Sequence, residues 1–389
     1  MTRENEDRRG RTAFDAASRL SFPRLPGSRG NREARQLVAS MFEMAGLEVA
    51  LEDFTATDYS INIAARWALV PTGVMLFLSA LSLVYGIAVP ALFISLLSPM
   101  PLLVILSGLT KKRDFPRARR YSAANLVSRL RPHEGEDRKK TVILMGHYDS
   151  KSQTFSIGLR VFLYIVGGIG GLLLALIIAA CSISLLLGAA CPFASYLFFA
   201  AAVVLAVDLS FLSNRIGNRS DGALDNATGV GLVLETASRL ARDPAPGIEV
   251  VAVATDAEEI GLCGARDFLE RHGPELDMKN TVIVNFDGCG GDRVVSVLKT
   301  GKGEGPGGKE LRRLCREAAA GKNVPFKERS IPVGMATDAL PFRRAGYACL
   351  DFIGMASKSH TTKDRMDLVR EESLGQYVEV AEELIRSLG

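Results

Sequence analysis

The six cysteines of this chain include no Cys-x-x-Cys pair and are scattered along its length. That argues against a disulfide framework and fits idle thiols in a reducing compartment. A bridge between Cys181 and Cys191 stays open as an alternative if their loop faces an oxidising space. The net charge is only +4, with no broad basic face interleaved with aromatics, so no nucleic-acid partner is expected. The first residues, MTRENEDRRGRTAF, are charged and lack an apolar core, so no cleavable secretory signal is expected. No internal repeat of solenoid type is present.

Charge itself is missing from two long stretches. No charged residue occurs from Trp67 to Thr110, nor from Val161 to Val207. A membrane span needs about 20 apolar residues, so each run has room for two helices and a turn. Gly86 and Pro90 mark the first turn and Gly188 to Pro192 the second. Gly167, Gly168, Gly170 and Gly171 permit close helix approach. Buried core helices are the alternative, but these rarely need more than about 14 continuous apolar residues. A hydrophobic share of 48% and a mean hydropathy of +0.16 also exceed what an ordinary soluble chain carries.

Outside these runs the pattern alternates between strands and helices. Residues up to about Ser21 read as polar and loosely ordered. A helix is predicted over Asn31–Ala45 and a strand over Leu47–Phe54. Strands follow at Tyr121–Leu130, Thr141–Met145, Ile248–Ala254, Thr281–Phe286, Val294–Leu298 and Ala348–Ile353. Helices are predicted at Asn226–Ala241, Leu262–Arg271, Lys309–Ala320 and Gln376–Leu388. The expected fold is α/β: a mixed, largely parallel sheet with helices on both faces, interrupted by two transmembrane α-hairpins. The α/β domain would comprise 1–60, 113–156 and 214–389, with hairpins at 61–112 and 157–213.

The organising stretch is Val251–Ala265, VAVATDAEEIGLCGA, where an apolar strand ends in Glu258 and Glu259. Carboxylates at the end of a buried strand must be paired, hydrogen-bonded or metal-bound, and strand carboxyl ends are where ligands bind in open α/β sheets. A solvated loop with two acids is the competing reading of that stretch alone. Other strand ends carry His147 with Asp149, and Asp287; Asp225 stands at a helix start and His360 in a loop. Histidine is scarce, with only four residues, at 133, 147, 272 and 360, so two of them falling beside carboxylates is informative. A His and carboxylate set without thiolates suits zinc or a similar divalent ion. Two metals on five ligands, with one bridging carboxylate, is the economical arrangement, and one acid must stay free as general base.

GHYDS, GALDNATGVG, TDAEEIGLCGA, NFDG and SHTTKD, in that order, resemble the co-catalytic zinc exopeptidases of metallopeptidase family twenty-eight, the leucyl aminopeptidase type. The resemblance extends to Gly27–Asn31 and spans the non-membrane chain. It implies that His147, Asp225 and Asp287 hold one zinc, and that Asp225, Glu259 and His360 hold the other, Asp225 bridging. It also implies Glu258 as general base and Asp149 as the carboxylate orienting His147. Co²⁺ or Mn²⁺ are the expected substitutes for Zn²⁺. The implied activity is removal of N-terminal residues from peptides; carboxypeptidases, dipeptidases and glutaminyl cyclases share such a site. A non-catalytic membrane receptor or assembly module of this fold is the rival, and would be marked by lost ligands. Two departures touch the pocket wall. Ala339 stands at the histidine place of the family's D-H-x-x-F element, and Ser359 where an aromatic is common.

GEGPGGK at Gly303–Lys309 nearly matches a phosphate loop, but Glu310 replaces the Ser or Thr that would meet Mg²⁺, which favours a flexible surface loop. His133 and His272 read as solvated surface, and Cys263 and Cys289 as packed residues near the site. Cations flank the apolar runs: Arg8, Arg9, Arg11, Lys111 to Arg120, Lys151, Arg160, Arg215 and Arg219. The two hairpin turns hold none, so an integral membrane protein of about four spans with a cytoplasmic active site is expected.

Overall fold

The computed structural model describes residues 8–58, 64–108, 119–131, 139–299, 306–330, 336–354 and 357–389. The described residues begin with α1 (Arg11–Leu20), α2 (Arg29–Met44) and β1 (Ala50–Thr57). Three apolar helices follow: α3 (Ala64–Val84), α4 (Ala88–Leu97) and α5 (Met100–Gly108). Strands β2 (Arg120–Leu130), β3 (Lys140–His147) and β4 (Ser152–Gln153) lead to the long apolar helix α6 (Ile157–Leu186) and to α7 (Ala194–Ser210). Then come β5 (Ile216–Gly217), α8 (Thr228–Arg242), β6 (Ile248–Thr255), α9 (Cys263–His272), β7 (Thr281–Asp287) and β8 (Val295–Leu298). The chain ends with α10 (Pro306–Gly321), β9 (Phe326–Arg329), α11 (Ala339–Ala345), β10 (Ala348–Ile353) and α12 (Glu371–Arg386).

Eight strands form one sheet in the order β1-β2-β6-β3-β7-β10-β8-β9. The central four, β6, β3, β7 and β10, are parallel, while β2 joins β6 and β8 joins β10 antiparallel. Strand side chains alternate faces, and the core divides accordingly. Val142, Leu144, Val250, Ala252, Val282 and Val284 face the layer of α1, α8, α10 and α12. Ile143, Met145, Val251, Val253 and Ile283 face α9 and α11. Strands buried on both faces explain the continuous apolar runs read in the sequence.

The N-terminus corrects its reading as loose. Residues 11–20 form α1 because Ala13, Ala16, Ala17 and Leu20 share one face and are buried against α8. Charged residues on the other face hid that stripe. Arg8 and Arg11 pair with Glu371, and Arg9 with Glu382, so these cations lie against the last helix. His272 also departs from a purely solvated reading: its Nε2 lies 2.8 Å from Glu52 Oε1 and its ring lies against Phe268. His133 and residues 111–118 and 303–305 lie outside the described residues, and Pro306–Lys309 opens α10.

The apolar helices form a separate bundle. α3 packs on α7 and α4 on α6. Thr72 and Ser79 on α3 donate hydrogen bonds to the carbonyls of Ser98 and Ala91. Gly86 makes the first turn with φ +70°, but Pro90 lies inside α4, and the return leg is two helices, α4 and α5. α6 and α7 are long and apolar enough to cross a membrane; shorter apolar stretches run over Ala68–Val84 in α3 and over Ala88–Val104 across α4 and α5. Among the described residues, the large apolar side chains left exposed lie within 74–212, save Met44, Leu51 and Met278.

Each bundle segment leaves and returns at one place. The first joins β1 to its antiparallel partner β2, with Thr57 opposite Arg120. The second is closed at its neck by the ribbon of β4 and β5, with Ser152 opposite Gly217. That neck stands at the carboxyl ends of the parallel strands, just after Asp149 and before Asp225.

Candidate metal centre

The parallel register aligns the strand ends. His147 pairs with Thr255 and Asp287 with Ile353, so the loops after β3, β6, β7 and β10 open at one edge. Gly146 brings α8 down onto β3: a Cβ there would lie 2.8 Å from the Gly229 carbonyl carbon. Only glycine allows that approach, and it sets Asp225, just ahead of α8, beside His147.

Asp225 faces two histidines with its two oxygens. Oδ1 lies 3.4 Å from His147 Nε2 and Oδ2 lies 3.2 Å from His360 Nε2. Asp287 Oδ1 is 4.0 Å from His147 Nε2, and Glu259 Oε2 is 3.0 Å from His360 Nε2. Two groups thus converge, His147–Asp225–Asp287 and Asp225–Glu259–His360, each with ligand atoms within 4.8 Å of one another. Glu258 belongs to neither group, although its Oε2 comes within 3.9 Å of His147 Nε2. His147 Nε2 and Glu259 Oε1 are buried without a hydrogen-bond partner. Orphaned buried donor atoms among carboxylates suit a cation there.

The titration pattern reflects that crowding. Burial pushes Asp287 up to about 8, with Asp225 adding. Burial also raises Glu258 well above the usual carboxylate range; His147 opposes this and Glu259 adds to it. Burial acts on Glu259 the same way, but His360 and Lys151 outweigh it and hold Glu259 at about 2. His147 stands well above its usual value because Glu258 and Asp149 outweigh its burial. A divalent ion would replace these protons.

Asp149 ties the site together. Its Oδ1 and Oδ2 accept the backbone N–H groups of Glu258 and Glu259, both at 3.1 Å, and Oδ1 lies 3.4 Å from His147 Nδ1. Several supports went unread in the sequence. Asp364 accepts the N–H groups of Leu224 and Asp225 at 2.8 and 3.2 Å, although it closes the SHTTKD motif. Arg24, wholly buried, donates to five carbonyls, those of Leu20, Phe22, Tyr148, Asp221 and Gly222. Asp256 accepts from Asn31 Nδ2 and the Tyr148 hydroxyl, both at 2.8 Å. Such contacts join segments far apart in sequence; a buried Arg between Pro23 and Pro26 was the only local sign of one of them. At the pocket wall Ala339 is buried in the core, and Asp338 accepts a hydrogen bond from Thr255.

Residues 206–385, which hold Asp225, Glu258, Glu259, Asp287 and His360, match the model of peptidase family M28. That stretch of the chain is similar to this family. The alkaline phosphatase isozyme conversion protein of Escherichia coli (strain K12) is 34% identical over 154 residues, which is 36% of this chain and 42% of that protein. This chain thus aligns with less than half the length of that curated relative. Among solved structures, a glutaminyl cyclase of an Acidobacteriales bacterium superposes with a TM-score of 0.55 at 15% identity, covering 98% of this chain and 94% of that one. A zinc aminopeptidase from Bacillus subtilis gives a TM-score of 0.54 at 16% identity, covering 96% and 94%. At these identities the likeness is one of fold.

Proposed function

We propose that this chain is a membrane-embedded, zinc-dependent exopeptidase of the M28 type that removes N-terminal residues from peptides. The observation that carries the reading is Asp225 spanning two His-carboxylate groups while Glu258 lies beside them as a member of neither. His147, Asp225 and Asp287 would hold one zinc ion, and Asp225, Glu259 and His360 the second. Two such ions supply a Lewis acid for the scissile carbonyl and lower the pKa of a water. Glu258 takes the proton of the attacking water on a carboxylate oxygen and delivers it to the leaving amine nitrogen. Asp149 fixes the backbone of Glu258 and Glu259 and the ring of His147, so base and ligands keep one geometry. The complete ligand set weighs against a non-catalytic receptor or assembly module.

The apolar bundle supports membrane embedding, since exposed apolar surface of this extent seeks lipid. We place four spans in two hairpins, 61–112 and 157–213, within the catalytic domain, whose active site faces the cytoplasm close to the bilayer. The decisive assay uses a library of peptides with free and blocked termini. Cleavage should need a free N-terminus, stop with a strong chelator and return with Zn²⁺ or Co²⁺. Cleavage only at free C-termini would make the enzyme a carboxypeptidase. Cyclisation of N-terminal glutamine without hydrolysis would make it a glutaminyl cyclase.

A further inference from the structure

Two cations from the neck of the second hairpin reach the Asp225–Glu259–His360 group. Lys151, only 6% exposed, places Nζ 2.8 Å from Glu259 Oε2 and donates to the Glu259 carbonyl at 3.0 Å. Arg160, on the first turn of α6, places Nη2 2.7 Å from His360 Nδ1. The Gln153 N–H of β4 donates to the His360 carbonyl at 2.9 Å, so the neck grips His360 from backbone and side chain.

This backing is the reverse of the one behind His147. A metal-ligating histidine ordinarily turns its second nitrogen to an acceptor, which strengthens it as a ligand. His147 does so: Nδ1 faces Asp149 O at 3.2 Å and Oδ1 at 3.4 Å. A guanidinium offers donors only, and a neutral His360 that ligates through Nε2 carries its hydrogen on Nδ1, so Arg160 sets a donor against that N–H and disfavours the ligating tautomer. Lys151 shares Oε2 of Glu259, the same oxygen that faces His360 Nε2. Two carboxylates, Asp225 and Glu259, therefore meet two cations. Around His147 the carboxylates of Asp149, Asp225, Glu258 and Asp287 meet the imidazole, with no Lys or Arg ion pair among the described residues.

We propose that Lys151 and Arg160 are positioning residues that weaken the second metal site. The ion at Asp225, Glu259 and His360 then binds less tightly than the ion at His147, Asp225 and Asp287, and is the one that exchanges. This rests on the two-metal reading above. Because both cations sit at the hairpin neck, the affinity of that site is set where the bundle joins the catalytic domain.

The test is titration of the metal-stripped, full-length protein in detergent with Co²⁺, followed by absorbance, and with Zn²⁺, followed by calorimetry against a competing chelator. The wild type should fill two sites in two resolved steps. Lys151→Met removes the ammonium, and Arg160→Gln offers an amide oxygen to His360 Nδ1. Each should tighten the second step by about tenfold or more and leave the first unchanged, in the range that outer-shell partners command. Arg160→Lys, which keeps a cationic donor, should retain the weak second step. The unchanged first constant reports that each variant is folded. Two equal steps in the wild type, or a second step unchanged or weakened in both Lys151→Met and Arg160→Gln, would overturn the inference alone. Binding of fewer than two ions would overturn the two-metal reading and the inference with it.

Discussion

Asp149 Oδ1 accepts the backbone N–H of Glu258 at 3.1 Å, and this one carboxylate also faces His147. The loop that carries the proposed base is thereby fixed to the strand that carries a proposed ligand. Asp149→Asn keeps the shape but sets an amide donor against an N–H donor. We expect a loss of about 10–100-fold in turnover or metal affinity, the usual range for such partners. Steady-state kinetics and metal analysis on the purified variant check this. Activity within a few-fold of wild type would show that the loop holds without it.

Much of this site was legible because its residues sit at ends of strongly patterned elements. His147, Glu258, Glu259 and Asp287 each follow an apolar strand whose neighbours are in register. The parallel sheet followed from the same runs. What escaped was tertiary. Nothing near Lys151 or Arg160 tells a membrane-flanking cation from one turned onto Glu259 or His360. Residues 339–345 form α11 without a long stripe, and β9 is four residues at the sheet edge. Edge strands and short helices carry too few side chains for a period to emerge.

In chelator, the protein should lose stability as pH rises from 6 to 8.5. Asp287 is raised from 3.8 to about 8, and His147 and His360 are raised above 6.5. In that window the folded state binds more protons than the unfolded one, so unfolding free energy falls with pH. Bound metal replaces those protons, so the gap in melting temperature between metal-loaded and stripped protein should widen with pH. A gap that narrows toward pH 8.5 would contradict these shifts.

Within the bundle, Asp208 is buried between two glycines. A Cβ on Gly167 would lie 2.2 Å from Asp208 Oδ1, and one on Gly73 2.6 Å from Oδ2. Gly167→Ala should destabilise by about 1–3 kcal/mol, the usual cost of overpacking. Asp208→Ala in the same chain should relieve part of that cost. Unfolding of both single variants and the double variant in one detergent gives the coupling. Strict additivity would mean that the two residues do not meet.

Orientation is testable in a cysteine-free background. A reporter at Ala189, in the turn between α6 and α7, should be labelled by an impermeant thiol reagent on intact cells. A reporter at Lys363, beside the site, should be protected until the cells are opened. The reverse pattern would place the active site outside.

The most direct test of the account is Glu258→Gln, assayed for metal content and peptide turnover on the same preparation. Glu258 is a member of neither ligand group, so two ions per chain should remain. Turnover should fall by about 10²–10⁴-fold, the contribution of a positioned general base. Near-normal turnover in the metal-replete variant would contradict the mechanism, and so would loss of the metals.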